Sequence, residues 1–286
     1  MEQPLISIII PTYHRLGALA ELLEALYRQT FKNFQVIVLN DGGPSVAPVV
    51  ALYPELQCTY IDLPDNKMHV HARNKGLELA TGELIMLCDD DDLIVPDHIE
   101  RMLLELADND LVYADVEIVQ YTTNLQGSSR KPISRQLFAY DDNPEGMRKF
   151  STFMSSGCLY RRSIHDVIGS FDETIHHYWD WDFYLRVVEY FRVRRVPVAS
   201  VLYAFSPVGG NMSNDLEDMR PYLDKLSIKH GLGWLPTKNF FLLLEEPDVK
   251  NREADSEIVW DGLGIVSRYS GNDKEICNIQ NNTTSL

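Results

Sequence analysis

Residues Leu84 to Cys88 form an apolar run that ends abruptly in four consecutive carboxylates, Asp89-Asp90-Asp91-Asp92. Leu93-Ile94-Val95-Pro96 then returns the chain to apolar company. No other stretch restricts the fold as much. Four to eight apolar residues bounded by breakers predict a buried strand, and a buried strand that delivers carboxylates at its tip is an arrangement made for a cation. In extended backbone alternate side chains share a face, which puts Asp89 and Asp91 on one side and Asp90 and Asp92 on the other. Paired hard oxygens suit Mg²⁺ or Mn²⁺, whose remaining ligands are usually water or phosphate oxygens. The plainer reading of the same run is an acidic turn closing a strand.

The stretches on either side supply a frame for that strand. Leu5 to Ile10 is too apolar for an edge facing water and predicts an interior strand. It breaks at Pro11-Thr12-Tyr13-His14-Arg15 into a helix from Leu16 to about Gln29, with Leu19, Leu22, Leu23 and Leu26 at helical spacing. Phe34 to Leu39 is a second strand, ending in Asn40-Asp41-Gly42-Gly43. Strand, helix, strand in that order predicts a βαβ unit of a mostly parallel sheet flanked by helices. Ligands of such sheets bind outside the carboxyl ends of the strands, where Thr12, Tyr13, Asp41 and the aspartates all fall. A helix from His71 to Ala80 would place Arg73 in its first turn, where the helix dipole disfavours a cation, so Arg73 is expected to serve a ligand. Farther on, Leu111 to Asp115 and Val193 to Tyr203 predict strands. Tyr178 to Val188 predicts a helix whose first turn carries Asp180 and Asp182 alternating with Trp179 and Trp181. Residues 120–143 are read as a polar excursion with one strand, 205–213 as a Gly-rich loop and 271–286 as a flexible tail.

Bulk properties narrow the function. A net charge of −16 argues against a nucleic-acid partner, and it means that a phosphate-bearing ligand needs a local cation. No apolar stretch approaches the roughly 20 residues that span a bilayer. The first residues, Met1-Glu2-Gln3-Pro4, lack a signal-peptide pattern, and four scattered cysteines show no CxxC spacing. These features set the expectation of a cytoplasmic, reduced protein.

Taken together, six segments in order resemble the family 2 glycosyltransferases. They are Ile8 to Tyr13, Val36 to Gly42, Ala72 to Gly76, Asp89 to Asp92, Arg161 through Asp172, and Trp179 to Arg186. The resemblance covers roughly residues 5 to 215. It implies an α/β fold of the GT-A type, with a Rossmann-like nucleotide-binding half (about 1–115), an acceptor half (about 116–232) and a C-terminal extension (233–286). It also implies an inverting, metal-dependent transferase that moves a sugar from a nucleotide-diphosphate donor, a UDP-sugar most often, to a hydroxyl. The acceptor would be a glycan, a lipid-linked sugar or another hydroxyl compound.

Carried onto this chain, the resemblance assigns donor binding to Pro11, Thr12, Tyr13, Arg15, Asp41, Arg73, Asp89 and Asp90. Tyr13 would stack on the base and Asp41 would accept a hydrogen bond from it. Asp91, with Asp89, would hold Mn²⁺ or Mg²⁺, Asp92 would support them, and Asp180 would be the catalytic base. Trp179, Trp181, Asp182, Ser156 and Gly157 would face the sugar or acceptor. Sugar choice is expected near Asp115 and Ser155 to Gly157, and acceptor choice in 120–143 and the tail. Each residue has a structural alternative: Tyr13 as a core aromatic, Asp41 as a turn residue, Arg73 in a surface salt bridge, and Asp180 or Asp182 as a helix cap. Two departures stand out. Trp179 occupies a position that is commonly Glu, and the segment from Tyr203 to Ser213 lacks the Arg and His common in that loop. The departures leave open a nucleotide-sugar-binding protein that does not transfer. A nucleotidyltransferase is a weaker alternative, because Pro11 to Arg15 contains no glycine for a phosphate loop.

Overall fold

The computed structural model describes residues 3–122, 130–205, 216–238 and 240–271. Ten strands make one sheet: β1 (Ile6–Thr12), β2 (Phe34–Asp41), β3 (Thr59–Leu63), β4 (Leu84–Leu87), β5 (Leu93–Ile94), β6 (Leu111–Thr122), β7 (Lys131–Phe138), β8 (Leu159–Arg161), β9 (Val193–Ala204) and β10 (Glu257–Ile258). Their order is β10-β9-β6-β8-β4-β1-β2-β3, with β5 added on β9 and β7 on β6. The stretch β4-β1-β2-β3 is parallel throughout. The other half is mixed: β8 runs antiparallel to both β4 and β6, whereas β6 and β9 are parallel.

This order follows from the apolar pattern. The side chains of β1 are buried on both faces, and they alternate between two cores. Ile6, Ile8 and Ile10 join the core beneath α1 (Leu16–Tyr27). Ile9 joins the one that also receives Ile37, Leu39, Val70 and the aromatic residues near 180. After β2 the chain makes a single helical turn, α2 (Ala47–Val50), followed by a 3-10 turn. The helix expected from His71 starts three residues earlier, as α3 (Met68–Leu79), so Arg73 lies in its second turn and is buried. After α4 (His98–Leu106), β6 runs through residue 122, well past the predicted strand end at Asp115. The expected strand of the polar excursion is β7.

Three shorter helices, α5 (Pro144–Lys149), α6 (Ile164–Ile168) and α7 (Trp179–Val187), lead to α8 (Leu216–His230), α9 (Phe240–Leu244) and α10 (Pro247–Lys250). The segment after 233 is fastened to the sheet. β10 pairs with β9, and Arg252 donates to Asp141 Oδ1 at 3.0 Å, to the Phe150 carbonyl at 3.1 Å and to Thr152 Oγ1 at 2.9 Å. Among the described residues no helix is long and apolar enough to cross a membrane. The Asn211-Met212-Ser213 motif and the polar tail lie outside the described residues.

Gly76 marks where α3 presses closest on β1: a Cβ there would meet Ile9 Cγ2 at 2.4 Å. Gly76→Val is therefore expected to destabilise the protein by at least about 1–3 kcal/mol through overpacking. A urea melt of the variant, with its midpoint compared with that of the parent, measures the loss.

Candidate active site

At the carboxyl ends of β1, β2 and β4 a cavity of about 820 Å³ opens. It is lined by Pro11, Thr12, Tyr13, Arg15, Asp41, Arg73, the aspartates 89–92, Ser156, Trp179, Asp180 and Trp181. Gly157 and Asp182, also expected at the site, do not line it.

The aspartate run is a turn rather than the extended segment expected from its sequence. The Asp92 amide donates to the Asp89 carbonyl at 3.2 Å, and residues 90 and 91 form the turn. Alternation of faces therefore fails here, and neighbouring side chains share partners. Arg15 Nη1 donates to Asp90 Oδ1 at 3.1 Å and to Asp91 Oδ2 at 2.6 Å. Thr12 Oγ1 donates to Asp90 Oδ2 at 2.6 Å. Asp92 turns away, and its Oδ1 accepts from the Ala204 amide at 3.0 Å, which ties the turn to the end of β9. Burial pushes Asp90 up to about 7, with the Asp91 charge adding to it and Arg15 and Thr12 opposing. Burial also raises Asp91, against the pull of Arg15. Burial is the larger influence, since Arg15, and Arg130 in the case of Asp91, act against the rise.

Asp89 is met from the other side by Arg73, whose Nη2 donates to Asp89 Oδ1. The Arg73 guanidinium lies 3.9 Å from the centroid of the Trp179 ring and also donates to the His69 carbonyl at 3.3 Å. A planar guanidinium stacked on indole while holding a carboxylate is fixed in orientation. Arg73 is thus a buried cation on the cavity wall, not a member of a surface salt bridge. Ser156 and Gly157 set the backbone below it: the Gly157 amide donates to the Leu87 carbonyl at 2.6 Å, and the Asp89 amide donates to Ser156 Oγ at 3.2 Å. Gly157 has φ +78°, and a Cβ there would meet His98 Nε2 at 2.9 Å. Its place is a tight turn against His98, which lies between the Gly157 carbonyl and Ser200 Oγ, each 2.8 Å away.

Tyr13 is 46% exposed at the cavity and is no core aromatic. Asp41 is buried, and its Oδ1 accepts from the Lys67 amide at 3.0 Å. Asp180 sits in the first turn of α7 without capping it; its Oδ1 accepts from the Trp181 amide at 2.8 Å. Desolvation lifts the Asp180 carboxyl to about 6; the Trp181 amide lowers it, the Asp89 charge adds to the rise and Arg73 opposes. A carboxylate perturbed toward neutrality in a cleft is suited to proton transfer.

Asp182 has a different task. It is fully buried and accepts from Arg186 Nε at 2.9 Å and His230 Nε2 at 2.8 Å, with Lys229 Nζ 2.7 Å away. These contacts fasten α7, and with it Asp180, to the end of α8. Asp115 likewise pairs with Arg195, at 2.6 and 2.7 Å, and is absent from the cavity lining. Sequence reasoning missed His69, which lines the cavity beside Trp179 and bonds the His176 carbonyl at 3.1 Å. It also missed the far wall, formed by Phe150, Phe153, Leu235 and Leu243. His69 sits on a helix with little amphipathic pattern, and the far wall joins residues 150–153 to residues 235–243, far apart in the chain, so neither left a local signal.

The donor set also suits a hard divalent ion. Asp89 and Asp91 line the cavity with partly exposed carboxylates, 36% and 24%. Among the described residues no three His, Cys, Asp or Glu side chains already converge on one point. An ion here would therefore share carboxylates with ligand oxygens rather than enter a ready-made cage.

A parallel half-sheet with carboxylates at its tips and a polar cleft beside them is the architecture of the GT-A glycosyltransferases. Residues 7–169 match the family described as glycosyl transferase family 2. The chain is 56% identical over 264 residues to the uncharacterized glycosyltransferase YwdF of Bacillus subtilis, covering 92% of this chain and 98% of that protein. It is 30% identical over 250 residues to a PGL/p-HBAD biosynthesis glycosyltransferase of Mycobacterium bovis, covering 82% and 88% of the two chains. The protein belongs to glycosyl transferase family 2. Solved structures support the fold. TarS 1-349 of S. aureus in complex with UDP-GlcNAc gives a TM-score of 0.60 at 19% identity, over 78% of this chain and 66% of that one. The mannosyltransferase PcManGT of Pyrobaculum calidifontis, in complex with GDP-Man and Mn²⁺, gives 0.60 at 18%, over 82% and 67%.

The clamp on Asp182 yields a stability prediction. Burial alone would raise this carboxyl, but hydrogen bonds from His230 and Lys229 outweigh it and hold the group below its ordinary value. Its contribution is complete above the unfolded carboxyl value of about 4 and disappears as pH falls through the lower folded value. Asp182→Ala would leave the largely buried Arg186 and His230 without their carboxylate and is expected to cost about 3–5 kcal/mol. Denaturant melts of both proteins at pH 7 and pH 3 should show a large difference that shrinks in acid.

Proposed function

We propose that the protein transfers a sugar, with inversion, from a UDP-sugar to a hydroxyl acceptor, with Asp180 as the base. The observation that carries this reading is convergence: one cavity holds Tyr13, Asp41, Arg73, Asp89, Asp91 and Asp180, drawn from five separate chain segments. The exposed face of Tyr13 would stack on the nucleobase, and Asp41, steadied by Lys67, would accept from its ring N–H. Structural neighbours solved with UDP-GlcNAc and with GDP-Man and Mn²⁺ support a nucleotide-sugar donor.

Asp89 and Asp91 would hold Mn²⁺ or Mg²⁺ against the diphosphate, which supplies Lewis-acid stabilisation of the leaving group. Arg73 would orient Asp89, and Arg15 would hold Asp90 and Asp91 in register. Asp180 would accept the acceptor's proton as the hydroxyl oxygen attacks the anomeric carbon, opposite the departing diphosphate. With its carboxyl at about 6, Asp180 is mostly ionised at pH 7 and still basic enough to take the proton.

Asp180→Asn should lower transfer by about 10²–10⁴-fold while UDP binding persists; full retention of transfer would remove Asp180 from this role. In the parent, kcat/KM should rise with pH through a limb near 6, because the base works deprotonated, and that limb should vanish in the variant. Asp91→Ala, or chelation of the metal, should weaken donor binding in a calorimetric titration with UDP. A parent that binds UDP-sugars but releases no UDP with any acceptor would instead be a binding protein.

A further inference from the structure

We infer that the acceptor presents its hydroxyl on an apolar body, an alkyl or aryl aglycone, seated against the apolar part of the cavity lining. The inference rests on the transferase reading above and adds the chemical class of the second substrate. The lining of the cavity varies in kind. Carboxylates and arginines line the donor part, whereas Trp181, Phe150, Phe153, Met154, Leu235 and Leu243 contribute apolar lining elsewhere, interspersed with Lys149, His177 and Asp248.

Among the described residues, several polar groups on that wall are already engaged within the protein. Trp181 Nε1 donates to the Met147 carbonyl at 2.8 Å, Ser151 Oγ accepts from the Phe153 amide at 3.2 Å, and Lys238 Nζ pairs with Glu246 at 2.5 Å. A bare saccharide seated against these apolar side chains would surrender water from its hydroxyls without a full set of replacements, which is unfavourable. An alkyl or aryl group would surrender nothing and bury apolar area.

The wall is also a constructed feature. Leu235 and Leu243 come from the segment beyond the family match at 7–169, and Arg252 ties that segment to the 150–152 loop through the Phe150 carbonyl and Thr152. Pro236 also lines the cavity. The part of the chain outside the matched family region thus supplies much of the apolar lining.

Isothermal titration of the full-length protein, with UDP and Mn²⁺ present, compares octyl β-D-glucoside below its micellar concentration with methyl β-D-glucoside. The octyl compound should bind at least about tenfold more tightly. Leu235→Asn and Phe150→Ser, both at partly exposed positions, should erase most of that preference, and a separate UDP titration confirms that each variant is folded. Equal affinity for the two glucosides in a protein that binds UDP would overturn this inference alone, as would a preference untouched by both substitutions. Failure of UDP to bind with Mn²⁺ would overturn the donor-site reading and this inference with it.

Discussion

Two guanidinium groups facing three of the four consecutive carboxylates decide the character of this molecule. Arg15 reaches Asp90 and Asp91 from the loop after β1, and Arg73 reaches Asp89 from α3. Without them the apolar strand β4 would deliver an uncompensated acidic cluster into a buried cleft, at a cost no packing could offset. With them the cluster is tolerated, although burial still raises the carboxyls of Asp90 and Asp91. A strongly anionic chain thereby keeps one place where a cation and a diphosphate would be welcome.

The rest of the structure serves to hold that place still. His98, buried and kept neutral as burial lowers it to about 4, lies between Gly157 and Ser200 and fixes the turn beneath Asp89. Asp182 gathers Arg186, Lys229 and His230 and so fastens the helix that carries Asp180. Neither residue needs to touch a substrate to matter, because a base displaced by an ångström loses most of its effect.

The parallel half of the fold was legible because its strands are buried on both faces, and runs such as Ile8-Ile9-Ile10 can mean little else. Asp89, Asp41 and Asp180 were legible because their spacing follows a family pattern. The faces of the aspartates were misjudged: alternation holds for strands, and Arg15 and the Asp92–Asp89 hydrogen bond make a turn instead. Asp182 looked like a site residue because it sits two positions from Asp180, yet on a helix that spacing turns it to the opposite side, toward α8. The far wall of the cavity was invisible for a different reason. Phe150, Leu235 and Leu243 are ordinary apolar residues in weakly patterned segments, and only the long-range bond set of Arg252 brings those segments together.

The central claim is that Tyr13, Asp41, Asp91 and Asp180 address one ligand. A crystal grown with UDP and Mn²⁺, with anomalous differences collected at the manganese edge, tests it most directly. The account predicts a manganese peak within bonding distance of Asp91, the uracil ring against Tyr13, and the diphosphate ending beside Asp180. A peak and a nucleotide lodged elsewhere on the molecule, with Arg15 and Arg73 still paired to the aspartates, would contradict it.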